Sequence, residues 1–261
     1  MTQPATAARS RIGGALAFAY GIAAYAFFVV VFLYAIAFVA DAWFVPNTID
    51  RGGWGDGEAT VVAVVVDVGL LLLFAVQHSV MARAGFKRWW TRFVPSAVER
   101  STYVVAASVC LALLFAFWFP ITPTLWDVTA QPWRGVLVGV AMLGWAIAFV
   151  STFLINHFDL FGLRQVFLRL RNLQPSQYSF RTPAFYRIVR HPLYLGFLVA
   201  FWFTPTMTVG HALFSVATTG YILIAVQLEE RDLIRMFGGQ YRDYRKRVPM
   251  LVPGYSRRRT I

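Results

Sequence analysis

In the stretch RIVRHPLYLG (187–196), Arg187, Arg190 and His191 stand directly ahead of Pro192, where an apolar run begins that continues to residue 226. Proline fits the first position of a helix, where its missing N–H costs nothing, so His191 falls near the N-cap and Arg190 just before it. Backbone N–H groups at a helix start, reinforced by two arginines, suit a carboxylate or a phosphate. Tyr194 and the small Gly196 would leave room for a flat ring to approach. The same residues also serve as a basic interfacial anchor ahead of a membrane segment. At the far end of the run stand Glu229 and Glu230. Acids there can accept from ribose hydroxyls or an amino group, or pair with Arg190, Arg231 or Arg235. The groups suited to taking up a proton are His78, His157 and His191, with Asp159 as a possible orienter of a ring. His211, beside the turn TPTM, reads as structural. The histidines are scattered and Cys110 is the one cysteine, so neither a metal site nor an internal disulfide is predicted.

These residues need elements to position them, and composition says of what kind. The chain has 261 residues, 58% of them hydrophobic and 14% charged, with 24 Phe, 11 Tyr and 9 Trp, which is a membrane protein's balance. Four stretches, 12–40, 60–81, 102–121 and 135–155, are long and apolar enough to cross a hydrocarbon layer that takes about 20 helical residues. The run 192–226 would measure roughly 52 Å as one helix, against about 30 Å of lipid core, and Thr204-Pro205-Thr206 interrupts it. It reads as a helical hairpin broken at Pro205. The expected fold is therefore all-α and polytopic: a four-helix bundle over 1–155, then a C-terminal region, 156–261, with the hairpin and a basic tail helix. QLEERDL (227–233) continues the last segment into water. Gly238-Gly239 breaks it, and a short helix ending at Pro249 carries Tyr241, Tyr244 and Val248 on one face.

Of the 24 Lys and Arg residues, all but Arg51 and Arg134 lie in the N-terminus, the 82–100 loop, the 157–191 stretch or the tail. The positive-inside pattern then puts both termini and both basic loops on the cytoplasmic side of the membrane. The net charge of +12 is an orientation signal dispersed toward anionic lipid head groups, not a nucleic-acid footprint. The N-terminal apolar run is too long for a cleaved signal and reads as an anchor. Asp67 sits about two turns inside its span and is expected to reach toward the outer interface. The Gly-rich RGGWGDG (51–57) misses the spacing of a phosphate loop and reads as a turn, and the outer loops read as plain connections.

RHPLYLG (190–196), EERDL (229–233) and FGGQYRDYRKRVPMLVP (237–253) together resemble the R-H-P-x-Y-x-G, E-E-x-x-L and F-G-x-x-Y-x-x-Y-x-x-x-V-P-x-x-x-P series of the isoprenylcysteine carboxyl methyltransferase superfamily of integral membrane enzymes. With QHSVMAR (77–83), NHFDLFGLRQV (156–166) and TPTMTVGH (204–211), the whole chain is similar to the bacterial methanethiol S-methyltransferases within it, the NnrU-like group. The resemblance implies S-adenosylmethionine as cofactor. It carries the binding role to Arg190, His191, Pro192, Tyr194, Gly196, Glu229, Glu230, Tyr241 and Tyr244. It also implies a small volatile thiol as substrate, methanethiol becoming dimethyl sulfide, while hydrogen sulfide, a prenylcysteine carboxylate or a lipid amine stay open as acceptors. A transporter or sensor reading would call for matching broken helices in two halves, and only one segment is broken.

Overall fold

The structure is a computed structural model that describes residues 4–53, 61–174 and 179–254, with side chains from residue 12 onward. Residues 54–57 of the Gly-rich stretch lie outside it. Among the described residues, five helices are long and apolar enough to cross a membrane. They are α1 (Pro4–Val39, apolar from Ile12), α2 (Val61–Ala82), α4 (Glu99–Phe117), α5 (Trp133–Ile155) and α9 (Val209–Phe237). Shorter helices fill the joints: α3 (Ala84–Trp90), α6 (His157–Leu160), α7 (Leu163–Arg171), α8 (Pro192–Trp202) and α10 (Gly239–Arg247). A multi-pass helical membrane protein is thus what the apolar periodicity builds.

Contacts divide the chain into two interleaved units, residues 1–48, 65–118 and 156–177, and residues 49–64, 119–155 and 178–261. In the first unit α1 packs along α4 and α7. Phe38, Phe115 and Trp118 interlock there, with the Phe38 ring 4.8 Å from Phe115 and 5.9 Å from Trp118. The chain turns from α6 into α7 at Gly162, whose φ of +87° favours glycine. A Cβ at that position would also meet the Ser101 backbone nitrogen at 2.7 Å, so the turn can seat on the start of α4 only without a side chain. Asp67 is fully buried in this unit and does not extend to the outer interface as expected. Protein around the second turn of α2, rather than a nearby head group, is what surrounds the carboxylate.

In the second unit α5 and α8 make the closest helix pair. Gly144 and Gly196 face each other there: a Cβ on Gly196 would lie 2.5 Å from the Ala148 nitrogen and 2.6 Å from the Gly144 oxygen. The space beside Gly196 therefore holds the backbone of α5, not the room for a flat ring that its small size led one to expect. Small residues let membrane helices approach in this way, and dispersion between backbones rewards it.

One further expectation is corrected here. The 122–134 loop is more than a connection, because Thr124–Asp127 forms a strand, β1, antiparallel to β2 (Thr206–Thr208), with Asp127 opposite Thr206 and Trp126 opposite Met207. The break after α8 is consequently a built feature. Trp126 donates its indole N–H to the Thr204 oxygen at 3.2 Å, and the Thr208 hydroxyl donates to Asp50. The Phe201 carbonyl, near the end of α8, accepts from His211 Nε2 and from the Ser215 hydroxyl, both at 3.0 Å. Carbonyls of a last turn lack helical partners and need such donors. His211 is thus structural, as read from the sequence.

Candidate functional site

The tail reaches the start of α8 through backbone and side chain together. His191 is the N-cap of α8 and Pro192 its first residue, both buried. The N–H groups of Arg190 and His191 do not wait for an anion. They donate to the carbonyls of Pro249 and Met250, at 2.8 and 3.2 Å. The segment after α10 is therefore tied through its backbone to the residues ahead of Pro192.

At the centre is Glu230, 2% exposed, near the end of α9. Its Oε1 accepts from Arg190 Nε at 2.6 Å and from the Tyr241 hydroxyl at 3.4 Å, and lies 3.2 Å from His191 Nε2. Its Oε2 pairs with Arg245 Nε at 3.0 Å. Arg190 in turn donates from Nη1 to the carbonyls of Arg245, at 3.2 Å, and Val248. A buried carboxylate is tolerable only when paired and hydrogen-bonded, and here both oxygens are. Glu230 chooses Arg190 and Arg245 as partners; Arg235 pairs with Asp232 instead.

Glu229, the neighbouring acid, is different. Its side chain is 42% exposed, and Oε2 stands 3.8 Å from His191 Nδ1. One imidazole thus lies between a buried acid and an open one. The Tyr194 ring sits 5.8 Å from that of His191. Tyr241 and Tyr244 are buried anchors of the tail, both packing edge-on against Phe180. The Tyr244 hydroxyl donates to the Tyr186 carbonyl. Burial pushes the Tyr244 phenol up to about 12, and burial with Glu230 nearby raises Tyr241 as well. Both stay neutral donors. Arg187 remains exposed, its Nε donating to the Thr182 oxygen at 3.3 Å.

The chain is 56% identical over 244 residues to methanethiol S-methyltransferase 2 of Bradyrhizobium diazoefficiens, covering 92% of each protein. A methanethiol S-methyltransferase of Mycobacterium tuberculosis is 54% identical over 90% of this chain and 94% of its own, and one of Crocosphaera subtropica is 47% identical over 97% and 98%. The chain belongs to the methanethiol S-methyltransferase family. Nurim of Bos taurus is a more distant relative, 29% identical over 70% of this chain and 74% of its own. No family model and no solved structure matches.

Within this family member, the three blocks read from the sequence meet: Arg190, His191, Glu229, Glu230, Tyr241 and Tyr244 form one cluster, all in the second unit. His78, His157 and Asp159 belong to the first unit. His78 Nε2 is 2.8 Å from the Tyr103 hydroxyl. His157, 2% exposed, has its Nε2 2.7 Å from the Tyr25 hydroxyl, and burial lowers its pKa. The Asp159 carboxylate accepts from Gln165 Nε2 at 2.9 Å and faces Arg164 at 3.6 Å. Arg245 and Tyr25 went unread in the sequence. Arg245 lies four residues after Tyr241, hence on the same helix face, and that spacing was the available signal. Tyr25 stands in an apolar span with no polar neighbour to mark it.

Proposed function

We propose that this methyltransferase transfers the methyl group of S-adenosylmethionine to methanethiol, giving dimethyl sulfide, and that the cluster around His191 and Glu229 is where the cofactor is held. The single observation that carries the reading is the pairing of a half-exposed acid, Glu229, with a buried histidine at the start of α8, next to a tyrosine ring. Those groups fit an adenosyl ligand: a carboxylate for ribose hydroxyls or an ammonium group, and an aromatic face for adenine or a sulfonium. Arg190 fits less completely. With Nε and Nη1 engaged by Glu230 and tail carbonyls, Nη2 is the nitrogen it has to offer a carboxylate, not a bidentate fork.

When bound, the cofactor supplies an electrophilic methyl on a cationic sulfur. The chain's contribution is to place and dehydrate. Glu230 fixes Arg190, His191 and Tyr241 by direct bonds, so that Glu229 and Tyr194 stand on a rigid support. Aligned placement of two reactants is worth roughly 7–11 kcal/mol of barrier in favourable cases, and excluding water strengthens the thiolate as a nucleophile. A small volatile thiol partitions into lipid, so an apolar bundle suits its entry. His78, His157 and Asp159 are the proposed groups for handling its proton. Positive-inside asymmetry supports a cytoplasmic membrane location with both termini inside.

The test is direct. Purified protein incubated with methyl-labelled S-adenosylmethionine and methanethiol is expected to release labelled dimethyl sulfide, read by headspace chromatography. Label appearing only with hydrogen sulfide or a farnesylated cysteine would reassign the acceptor, and label with none of them would end the reading.

A further inference from the structure

We propose that the tail helix α10 carries a phosphate-binding cleft, formed by Arg242, Arg245 and Lys246, which takes the phosphate of an anionic phospholipid head group or a free phosphate ion. The cleft is independent of the methyl-transfer reaction, and its test needs no turnover.

The setting of the helix creates the cleft. Residues 242, 245 and 246 follow a spacing of i, i+3 and i+4, so they share one side of α10. The adjoining side is anchored. Tyr241 and Tyr244 are buried, the Tyr244 hydroxyl donates to the Tyr186 carbonyl, and Arg190 Nη1 donates to the carbonyls of Arg245 and Val248. Those bonds hold the helix from turning about its axis, and the three cations line an open cavity of about 270 Å³. Every one of these residues belongs to the second unit.

The cations have bonding capacity left over. Arg245, its side chain 41% exposed, commits Nε to Glu230 Oε2 at 3.0 Å, and its two terminal nitrogens remain for a ligand. Lys246 pairs with Asp243 at 2.9 Å, but those side chains are 76% and 65% exposed, and a pair in water holds weakly. Arg242 is exposed and, among the described residues, makes no ion pair. Asp243 is the one acid of α10, against Arg242, Arg245, Lys246 and Arg247. Like charges at this spacing repel, and an anion seated among them relieves the repulsion. Phosphate suits the set, because a guanidinium presents paired N–H donors to its oxygens and an ammonium adds a point charge. A zwitterionic ligand would bring a further cation among the three. The place in the fold agrees: α10 directly follows α9, long and apolar enough to cross a membrane, and so stands near the level of lipid head groups.

The experiment titrates the purified full chain in maltoside detergent with phosphatidylglycerol in mixed micelles, with phosphatidylcholine, and with inorganic phosphate, following the thermal midpoint and the heat of binding. Phosphatidylglycerol or inorganic phosphate is expected to bind saturably and raise the midpoint, as a ligand of the folded state does. Phosphatidylcholine, whose choline offsets its phosphate, is expected to do neither. Whichever of the two anions acts at the lower concentration identifies the source of the phosphate. Arg242→Gln and Lys246→Gln should each weaken that binding about tenfold, the scale of one charge-assisted hydrogen bond. Arg247→Gln removes the same charge from the same helix but not from the cleft, and should change affinity by less than about twofold. These side chains are exposed, so the ligand-free midpoints should stay within about 1 °C of wild type, and a lost response is then not lost folding. Wild-type protein that binds neither anion more tightly than phosphatidylcholine would overturn the proposal. Equal losses from all three variants would also overturn it, leaving a diffuse basic surface in place of a cleft.

Discussion

Two adjacent glutamates hold opposite positions in this site, and that difference can be measured. Glu230 has buried partners on both oxygens, so Glu230→Ala leaves Arg190, His191 and Arg245 facing an empty place. Removing one member of a buried charge network costs about 3–5 kcal/mol, because the partners' charge stays behind uncompensated. The expected result is a clear fall in thermal midpoint in detergent, with loss of cofactor binding. Glu229→Gln should leave the midpoint within about 1 °C, since a half-exposed group carries little of the stability. It should still weaken S-adenosylmethionine binding about tenfold, the scale of one charge-assisted hydrogen bond. Equal effects from both substitutions in both assays would contradict the division of labour. Sequence reasoning brought these acids to the right neighbours because motif order and helix-end topology are local facts. It could not rank them, since which acid is buried depends on where the tail docks. It missed Arg245 for a related reason: within RDYRKR every cation looks alike until a partner selects one.

At the scale of elements, a pair of glycines sets how near α5 and α8 come, whereas Gly220 in α9 has no such role. Gly196→Ala would bring a methyl to 2.5 Å from a backbone nitrogen that cannot move without shifting α5. Overpacking of this kind costs about 1–3 kcal/mol. Gly220, in the middle of α9, has open space where its Cβ would go, and Ala there should gain about 0.5–1 kcal/mol from helix propensity alone. Opposite shifts of thermal midpoint for the two variants are the expected outcome, and a stabilised Gly196→Ala would refute the close crossing. The long helices were legible because about 20 consecutive apolar residues leave few alternatives. β1 was not, since four residues, TLWD, become a strand only by pairing with Thr206–Thr208 some eighty positions later. Nor did the sequence show that the end of α8 would be sealed by His211 and Ser215, because a helix-end carbonyl leaves no trace in composition.

For the whole molecule the decisive quantity is which way it faces. Helix α9 starts directly after β2 and ends just before α10, and its 29 residues measure roughly 44 Å at about 1.5 Å each. That exceeds the hydrocarbon layer, so β1, paired to β2, and the basic α10 are expected at opposite membrane faces. Charge predicts which is which. The tail holds Arg242, Arg245, Lys246 and Arg247 within one short helix, whereas at the β1–β2 end the cations are Arg134, partly offset by Asp127 at 3.9 Å, and Arg51, beside the Asp50 that accepts from Thr208. Lys and Arg near span ends are retained on the cytoplasmic side. In a Cys110→Ala background, which removes the single buried thiol, a cysteine replacing Leu125, 57% exposed on β1, should react with a membrane-impermeant maleimide applied to intact spheroplasts. A cysteine replacing Lys246, its side chain 76% exposed on α10, should react only after lysis. The reverse order of labelling would turn the cluster at Glu230 to the outside of the cell, away from any cytoplasmic supply of a methyl donor, and with it the proposed reaction would lose its cofactor.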